Sequence, residues 1–363
     1  METLVNPSPA FWRGRRVLIT GHTGFKGSWL SLWLTSLGAE VDGFALAPAT
    51  DPNLYKLACT PRPNEFGDVR NLAALQERLI SVQPEIIFHM AAQSLVRASY
   101  SDPVGTYATN VMGTVHLLEA ARHAASVGAI VIVTSDKCYE NREWHWAYRE
   151  VEPMGGHDPY SSSKGCAELV TGAYRKSFFE NDSGHPCRVA SVRAGNVIGG
   201  GDWSTDRLVP DVIRAFGEGK PAEIRSPKST RPWQHVLDPL NGYVRLAELL
   251  ASERGSEFVG GWNFGPPDED CRPVSYVADM LTTLWGRDAS WIFANDLQRH
   301  EAGYLKVDAS KAKARLGWAS RLRLHDALRW TVEWYRAQLD GKSAAALSLG
   351  QIEDYQALGS TSP

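Results

Sequence analysis

The chain has 363 residues, of which 43% are hydrophobic and 22% are charged, with a formal net charge of −3. This is the composition of an ordinary globular protein, long enough for a large core and two structural lobes. The small net charge gives no electrostatic reason to expect a nucleic-acid or membrane partner. No run approaches the roughly 18 apolar residues of a membrane span, and the amino terminus lacks the apolar core of a signal peptide.

The cysteines and histidines indicate neither a disulfide framework nor a metal site. The cysteines are odd in number, scattered and without a CxxC pair, and they lie at Cys59, Cys138, Cys166, Cys187 and Cys271. The ten histidines show no HxxxH or HExxH spacing. We therefore expect a metal-free protein of the cytoplasm.

Strand and helix patterns alternate through the first half of the chain. Strands are predicted at RRVLITG, EVDGFAL, EFGDV, EIIFHMAA, AIVIVTSD and RVASVRAG, and helices at 25–37, 71–82, 104–125 and 160–179. Strands that alternate with helices predict right-handed crossovers. The fold class is therefore α/β, a Rossmann-type doubly wound parallel sheet.

The alternation changes after about Arg193. The glycine-rich GNVIGGGDW is followed by a predicted helix at 207–216, a short strand AEIRS, the stretch RPWQHVLD and a helix from Pro239, and a last amphipathic helix is predicted at 324–339. We predict a nucleotide-binding domain over 14–192 plus 233–260. A smaller mixed α/β substrate-binding lobe takes 193–232 plus 261–340, and 341–363 form a C-terminal tail.

The stretch TGHTGFKGSWL places three glycines, Gly21, Gly24 and Gly27, between the first strand and its helix. Glycines there permit a tight turn, let the backbone approach a pyrophosphate, and allow close helix–strand packing. The start of the helix offers free N–H groups to phosphates. The pattern alone is a weak signal, but its position after the first strand predicts a dinucleotide site, with Thr23 and Phe25 as further contacts.

The end of the second predicted strand bears on the choice of dinucleotide. It reads FALA, without the acid that usually holds the adenosine ribose of NAD and without an arginine for a 2′-phosphate. Asp68 and Val69, at the end of the predicted third strand, are plausible contacts to the adenine. We predict NAD as the cofactor, with the missing acid as a possible cause of weaker binding.

Two further stretches carry reactive side chains. IVIVTSDKCYEN predicts a buried strand that ends in Ser135, Asp136 and Lys137, and YSSSK places Tyr160 and Lys164 four residues apart on one face of a helix. A polar loop with a solvated ion pair, and an exposed tyrosine beside a solvated lysine, are the simpler interpretations. To be half ionised at neutral pH, the phenol of Tyr160 needs a pKa roughly three units below its reference value of about 10. The ammonium of a nearby lysine such as Lys164 lowers the pKa of a phenol.

In this order, the glycine turn, the strand-end serine and YxxxK resemble the short-chain dehydrogenase/reductase superfamily over nearly the whole chain. The later lobe resembles its extended, sugar-nucleotide branch. The resemblance implies Tyr160 as base, Lys164 tuning it and Ser135 orienting the substrate hydroxyl. It also implies contacts near the nicotinamide ribose from the loop Ala91, Ala92 and Gln93, supported by Asn110.

Sugar-nucleotide 4,6-dehydratases of this branch commonly carry Thr-Asp-Glu where this chain has Ser135-Asp136-Lys137. The resemblance implies Asp136 as the acid that protonates the hydroxyl leaving carbon 6. Lys137 is a base at carbon 5 only if its environment strongly lowers its pKa. A charge partner for Asp136 or for a substrate phosphate is the alternative.

GHTGFKGSWLSLWL, VTSDKCYEN, RAGNVIGGGDW, STRPWQHVLDPLNGY and QIEDY together are similar to the CDP-sugar members of these dehydratases. The resemblance implies CDP-glucose as the substrate. It implies diphosphate contacts from Arg207 and Arg231, since a guanidinium suits phosphates. The implied lining of the sugar-nucleotide pocket is Asn196, Gly201, Asp202 and Trp203.

Other readings stay open at this stage. Another sugar-nucleotide dehydratase or an epimerase is the nearest enzymatic rival, and a non-catalytic NAD-sensing protein of the same fold is the rival from a different class. For Arg193 an internal salt bridge is the alternative to a substrate contact, and we do not count it among the site residues. We interpret His89 and His235 as packed structural residues rather than catalytic ones. We expect a homodimer or homotetramer, with no nucleic-acid or membrane partner.

Overall fold

The computed structural model describes residues 5–60, 65–180, 186–286, 288–294 and 302–360. Within them the main sheet has six strands, all parallel, in the order β2-β1-β3-β4-β5-β9. Its strands are β1 (Arg16–Thr20), β2 (Glu40–Phe44), β3 (Ile86–His89), β4 (Ala129–Val133), β5 (Arg188–Ala194) and β9 (Gly260–Phe264). The predicted α/β class and doubly wound parallel sheet are confirmed.

Helices connect these strands and cover both faces of the sheet. Those of the first half are α1 (Pro9–Trp12), α2 (Phe25–Ser36), α3 (Leu54–Ala58), α4 (Leu72–Val82), α5 (Val96–Ser101), α6 (Pro103–Tyr107), α7 (Gly113–Arg122) and α8 (Pro159–Tyr174). Those of the second half are α9 (Leu208–Gly217), α10 (Leu237–Leu250), α11 (Val274–Trp285), α12 (Ser310–Leu316), α13 (Leu324–Leu339) and α14 (Ala344–Ser360).

The sequence of β4 shows why the sheet is covered on both sides. All five of its residues are buried. Val131 packs into the larger apolar core, and Ile130 packs into a second core on the opposite face. Because successive side chains of a strand point to opposite faces, an unbroken run of branched aliphatic residues requires a layer on each side.

Two smaller sheets follow in the second half of the chain. One has the order β10-β8-β6, with β6 (Asn196–Ile198) parallel and β10 (Cys271–Pro273) antiparallel to β8 (Thr230–His235). The other pairs β7 (Ala222–Ile224) with β11 (Trp291–Phe293) in parallel. Since β6 begins two residues after β5 ends, this part of the chain starts directly at the carboxyl edge of the main sheet.

The strand predicted at EFGDV is wrong. In the structure this segment contributes only an isolated bridge between Phe66 and Ala45, beyond the end of β2. Glycine and aspartate favour strands poorly, and Gly67 lies against the Phe44 ring, where a Cβ would be 2.3 Å from a ring carbon. Asp68 therefore lies in a loop, and the third strand of the sheet is Ile86–His89.

The segment predicted as a tail contains helix α14, which is docked rather than extended. The Tyr355 ring packs edge-on against Trp33 at 5.7 Å, and its hydroxyl donates to Asp238 Oδ1 at 2.8 Å. Residues 361–363 of the predicted tail lie outside the described residues. In the part of the chain that the structure describes, no helix is both long and apolar enough to cross a membrane.

Candidate active site

The glycine-rich turn follows β1 and leads into α2. In the sheet order β1 lies next to β3, and the two halves of the main sheet meet between these strands. Gly21 has φ +75°, and a Cβ there would lie 2.6 Å from the backbone nitrogen of Ala91. A Cβ on Gly27 would lie 2.2 Å from the Gly21 carbonyl oxygen. Only glycine fits at either position, so the start of α2 is held close to the crevice where doubly wound sheets bind ligands.

The other residues predicted around the cofactor lie near this turn, with partners of their own. Thr23 donates to the carbonyl of Leu46 just beyond β2, at 2.9 Å. The Asp68 carboxylate accepts from the Arg70 side chain, a hydrogen bond that lowers the pKa of Asp68. The contact of Asp68 and Val69 with adenine stays a prediction.

Asn110 lies in a π turn over Ala108–Met112, which interrupts the helix predicted at 104–125. Its amide Nδ2 donates to the carbonyl of Gln93 at 3.0 Å and to Ser163 Oγ at 2.8 Å. Its Oδ1 accepts from the Gln93 backbone N–H at 2.8 Å. A π turn at such a position is typical of functional sites. Here it lets one buried amide tie the loop after β3 to the helix that carries Tyr160.

A cavity of about 890 Å³ opens at the carboxyl ends of the parallel strands. It brings together all five residues predicted as catalytic, which lie in two separate segments of the sequence. Its lining includes Phe25, Ala92, Ser135, Asp136, Lys137, Tyr160, Lys164, Asn196, Asp202, Arg207 and Arg231. Gly201 and Trp203 are not among the residues that line it: Gly201 contacts Leu54, and Trp203 packs on Trp334 and Tyr335.

Ser135, Asp136 and Lys137 follow β4 directly, and a 3₁₀ turn (Asp136–Cys138) fixes their directions. Ser135 Oγ donates to Asp136 Oδ1 at 3.0 Å and accepts from the backbone N–H of Lys137 at 3.3 Å. Lys137 Nζ lies 3.8 Å from Asp136 Oδ1. The Asp136 side chain is 1% exposed and that of Lys137 is 24% exposed, so the lysine is the more solvent-accessible member of the pair.

Tyr160 lies in the first turn of α8, which begins with Pro159 and is capped by Asp158 accepting from the Ser161 N–H at 2.9 Å. Burial raises the pKa of Tyr160 to about 12, and a hydrogen bond with Ser135 opposes that effect. The positive end of the α8 dipole also favours an ionised phenol. Tyr160 and Ser135 line the same cavity.

Lys164 lies one turn further along α8, and its Nζ donates to the carbonyl of Val133 at 3.3 Å. Burial lowers the pKa of Lys164 to about 8, while the charge of Glu168 acts in the opposite direction. A lysine with a pKa of about 8 is mostly protonated at neutral pH and can still exchange its proton.

Glu168 and Arg193 form a buried ion pair behind the catalytic residues, which sequence reasoning partly missed. No sequence pattern pointed to Glu168, and for Arg193 the sequence predicted an internal salt bridge only as an alternative. Arg193 donates to both carboxylate oxygens of Glu168, at 2.9 and 2.7 Å, and Glu168 also accepts from Thr134 and Ser191. The pair thus joins β4, β5 and α8 at the level of the cavity floor.

Lys26 is the second functional candidate that sequence reasoning missed. It follows Phe25 in the glycine-rich turn and lines the same cavity, with its Nζ 5.9 Å from the centroid of the Tyr243 ring. Burial, with the nearby charges of Lys164 and Arg207, lowers the pKa of Lys26 to about 7. The available signal was a lysine at the start of an otherwise apolar, buried helix.

Four of the six residues predicted to hold the sugar nucleotide line the cavity, namely Asn196, Asp202, Arg207 and Arg231. Arg207 donates to Asp202 Oδ2 at 2.9 Å and to Ser94 Oγ at 2.9 Å, so Asp202 orients the guanidinium. Arg231 lies on β8, is 6% exposed and donates to the carbonyl of Thr230. Two arginines in one wall, with three lysines nearby, make this a cavity suited to a polyanion.

The two histidines interpreted as packed are both buried. His89 lies between Thr20 and Thr114, with its ring nitrogens 2.7 and 3.3 Å from their hydroxyls. His235 packs edge-on against Trp29 and Trp330. Burial lowers the pKa of each ring to about 3, so both are neutral at physiological pH.

The fold and this site define the class of protein. A glycine turn lies at the crossover of a parallel sheet, and the Tyr160, Lys164 and Ser135 group lines the cavity at the carboxyl ends of the strands. This is the arrangement of a short-chain dehydrogenase/reductase. The glycine cradle fits NAD: the absence of a Cβ at Gly21 and Gly27 lets the turn pack closely against the start of α2, and the free N–H groups of a helix start suit a pyrophosphate.

The chain belongs to the NAD-dependent epimerase/dehydratase family, whose model matches residues 17–260. It is 53% identical to CDP-glucose 4,6-dehydratase of Salmonella typhimurium, over 95% of this chain and 97% of that one. Among solved structures, an epimerase of Methanothermobacter thermautotrophicus superposes with a TM-score of 0.77 at 21% identity, covering 92% of this chain and 95% of the other.

A dTDP-glucose 4,6-dehydratase of Streptomyces venezuelae, solved with NAD bound, superposes with a TM-score of 0.73 at 25% identity. The match covers 89% of this chain and 97% of that one. NAD is therefore the cofactor of the family and of a solved neighbour, in agreement with the prediction from the sequence.

Proposed function

We propose that this protein converts CDP-glucose to CDP-4-keto-6-deoxyglucose and water, a step that feeds deoxysugar biosynthesis for surface polysaccharides such as lipopolysaccharide. The observation that carries the proposal is the convergence of Asp136 with Ser135, Tyr160 and Lys164 on one cavity. Interconverting a hydroxyl and a ketone needs only the last three. Eliminating water also needs an acid beside them, and the buried Asp136 supplies one.

When bound, NAD would supply an acceptor for two electrons at carbon 4 and a donor of two electrons at carbon 6. Gly21, Gly24 and Gly27 would hold its pyrophosphate with Thr23 and Phe25, and Asn110 would hold Gln93 with Ala91 and Ala92 near its ribose. The remaining chemistry belongs to side chains of this chain. Tyr160 takes the proton of the carbon 4 hydroxyl, Ser135 orients that hydroxyl, and Lys164 supports the ionised phenol.

Elimination follows at carbons 5 and 6. Asp136 protonates the hydroxyl that leaves carbon 6, and a base removes the proton on carbon 5. Lys137 is the residue in the Glu position of Thr-Asp-Glu relatives. Its contact with Asp136 supports a role as charge partner, and its place at the cavity supports a role as base. Arg207, Arg231 and Asn196 bind the nucleotide diphosphate and sugar.

The proposed division of the chain follows the same chemistry. Residues 14–192 plus 233–260 bind the cofactor, and 193–232 plus 261–340 close over the sugar nucleotide. The tail, 341–363, supports the first unit through the contacts of Tyr355 with Trp33 and Asp238. The location of the two arginines of the cavity wall, one before α9 and one on β8, supports this division.

A homodimer or homotetramer in the cytoplasm completes the proposal. Apolar side chains are exposed on neighbouring helical segments, with Val104 78% and Leu169 64% exposed on α6 and α8, and Met112 45% exposed between them. Covering such a patch by a second copy buries apolar surface. Sedimentation of the wild type against Leu169→Glu tests it: dissociation of the variant supports the assignment.

Substrate identity is tested by incubating the purified protein with CDP-, dTDP-, UDP- and GDP-glucose, with and without NAD. The masses of the products are then measured by mass spectrometry. We expect loss of one water from CDP-glucose. An unchanged mass with inverted stereochemistry would make the protein an epimerase. Loss of water from a different nucleotide sugar would correct the base, and no turnover of any sugar would favour an NAD sensor.

A further inference from the structure

The sugar nucleotide of the proposed reaction is elongated, so its base lies far from the carbons that react. With the sugar at Tyr160 and Asp136, the nucleotide must extend along the part of the cavity that the second half of the chain lines. This part includes the loop before α9 and the residues that follow β7, with Asp206 and Arg225 among the lining side chains. A residue that distinguishes one base from another is therefore expected here.

Arg225 is held in place by an ion pair at this part of the cavity. Its Nη1 donates to Asp206 Oδ1 at 2.7 Å, and Arg97 Nη1 donates to the same oxygen at 3.2 Å. The hydrogen bond from Arg225 lowers the pKa of Asp206, so the carboxylate is ionised at neutral pH. Asp206 also has φ +61°, a backbone conformation that is uncommon for residues other than glycine and concentrates at ligand sites.

The contacts of Arg225 are separate from those of Arg207. Arg207 follows Asp206 in the chain, but its guanidinium donates to Asp202 and Ser94, each at 2.9 Å. Two neighbouring residues of one loop thus orient two guanidinium groups through different partners. This arrangement lets one arginine bind the diphosphate while the other meets a different part of the same ligand.

The chemistry of a guanidinium separates cytosine from uracil and thymine. Its N–H groups form a planar fork of donors, and it accepts no hydrogen bond. Cytosine offers two adjacent acceptors, O2 and N3, whereas uracil and thymine carry an N–H at N3. Two parallel N–H groups of an arginine therefore fit cytosine, but one of them faces another donor when the base is uracil or thymine.

We propose that Arg225 selects cytosine over uracil and thymine by donating to O2 and N3 of the base. Asp206 is a positioning residue that fixes the plane of the guanidinium, and Arg97 holds the Asp206 carboxylate from the other side. The selection depends on a repulsive contact as well as an attractive one, because the wrong base loses a hydrogen bond and brings two donors together. This inference rests on the proposed function, since it names the base of the same substrate.

Calorimetric titration of the NAD-loaded protein with CDP and with UDP tests the selection without turnover. The two nucleotides share ribose and diphosphate and differ only in the base. We expect CDP to bind about 10- to 100-fold more tightly than UDP, the discrimination typical of a bidentate arginine contact. Arg225→Met should remove most of this ratio by weakening CDP binding while UDP binding changes little. Arg225→Lys keeps the charge but not the fork, and it should lower the ratio in the same way.

Two further variants separate positioning from folding. Asp206→Asn removes the charge that orients Arg225, so the ratio of CDP to UDP affinity should fall by a smaller factor than in Arg225→Met. An unchanged ratio would end the positioning role of Asp206. Arg254→Met is the matched control, because Arg254 pairs with Glu257 at 2.7 Å and is not among the residues that line the cavity. It should leave both affinities unchanged.

The remaining outcomes are distinct. Equal losses of CDP and UDP affinity in Arg225→Met would overturn the inference, since Arg225 would then bind the diphosphate or only support the loop. A ratio that survives in Arg225→Lys would overturn it as well, and this variant repeats the test if Arg225→Met does not fold. Equal affinity of the wild type for CDP and UDP, with water still lost from CDP-glucose, would refute the selection and leave the proposed function intact. Failure of the wild type to dehydrate CDP-glucose would instead refute the proposed function.

Discussion

Replacing Glu168 by glutamine tests the structural support of the site. Glu168 and Arg193 are each about 5% exposed, and Arg193 forms two hydrogen bonds to the carboxylate. Glutamine keeps the shape but not the charge, and its NH₂ group must face a donor. Removing one partner of a buried ion pair costs about 3–5 kcal/mol, because the other charge stays buried and unpaired. We expect a loss of this size in the free energy of unfolding.

The assay is unfolding in urea at neutral pH, monitored by tryptophan fluorescence. The slope of the free energy of unfolding against urea concentration is compared between variants. The control is Glu333→Gln, which removes an exposed pair with Arg329 on α13 and should change stability little. Adding Arg193→Met to Glu168→Gln removes the unpaired cation and should restore part of the loss. A loss below about 1 kcal/mol for Glu168→Gln, the scale of an exposed pair, would refute the reasoning.

The same variant has a pH signature. The pKa of Glu168 is held below its ordinary value, since the contacts with Arg193 outweigh burial. Its stabilising contribution is therefore complete above the unfolded pKa of about 4.3 and is lost as pH falls through the lower folded pKa. The difference in stability between wild type and Glu168→Gln should be constant near neutral pH and shrink under acid conditions. A difference that grew with acid would contradict the assignment.

Three further predictions concern the cofactor turn and the acid. Asp136→Asn should still oxidise carbon 4, seen as absorbance of the reduced cofactor, but release water about 10²–10⁴-fold more slowly; normal release would end its assignment as acid. Gly27→Ala should cost about 1–3 kcal/mol and weaken NAD binding in titrations, because its Cβ meets backbone, whereas Gly172→Ala meets nothing within 4 Å. Lys26→Met should raise the melting temperature of the NAD-free protein more at pH 6 than at pH 9, since burial disfavours the charged amine that predominates below its pKa of about 7. An equal gain at both pH values would mean that Lys26 is not buried as a charge.

Local patterns predicted the parts of the fold that depend on neighbours in sequence. The buried strand before Ser135 and the turn of Gly21 follow from an apolar run and from the needs of a tight turn. The segment around Phe66 was predicted wrongly, because two β-favouring residues beside glycine and aspartate did not show whether a neighbouring strand was available. A strand needs a partner, and its availability is a tertiary property.

The shared location of the residues proposed as catalytic could be predicted, because they lie at the ends of regular elements that the sheet brings together. Lys26 could not be predicted in the same way. Its position in the chain assigns it to the phosphate turn, whereas its neighbours Lys164 and Arg207 come from distant segments. The contact of Arg207 with Ser94 likewise joins residues 113 apart. Such contacts depend on how the second half of the chain closes over the first.

The lysines give a physical account of how this chain departs from its Thr-Asp-Glu relatives. Replacing a carboxylate by Lys137 removes a negative charge from beside Asp136 and adds a positive one at 3.8 Å. A lysine there can form a salt bridge with Asp136, which the glutamate of the relatives cannot do. Lys26 adds a buried amine to the same cavity, and its pKa of about 7 lets it protonate near neutral pH. Because Lys137 is in contact with Asp136 within this cationic cavity, Lys137→Glu alone should slow turnover rather than restore the relatives' chemistry.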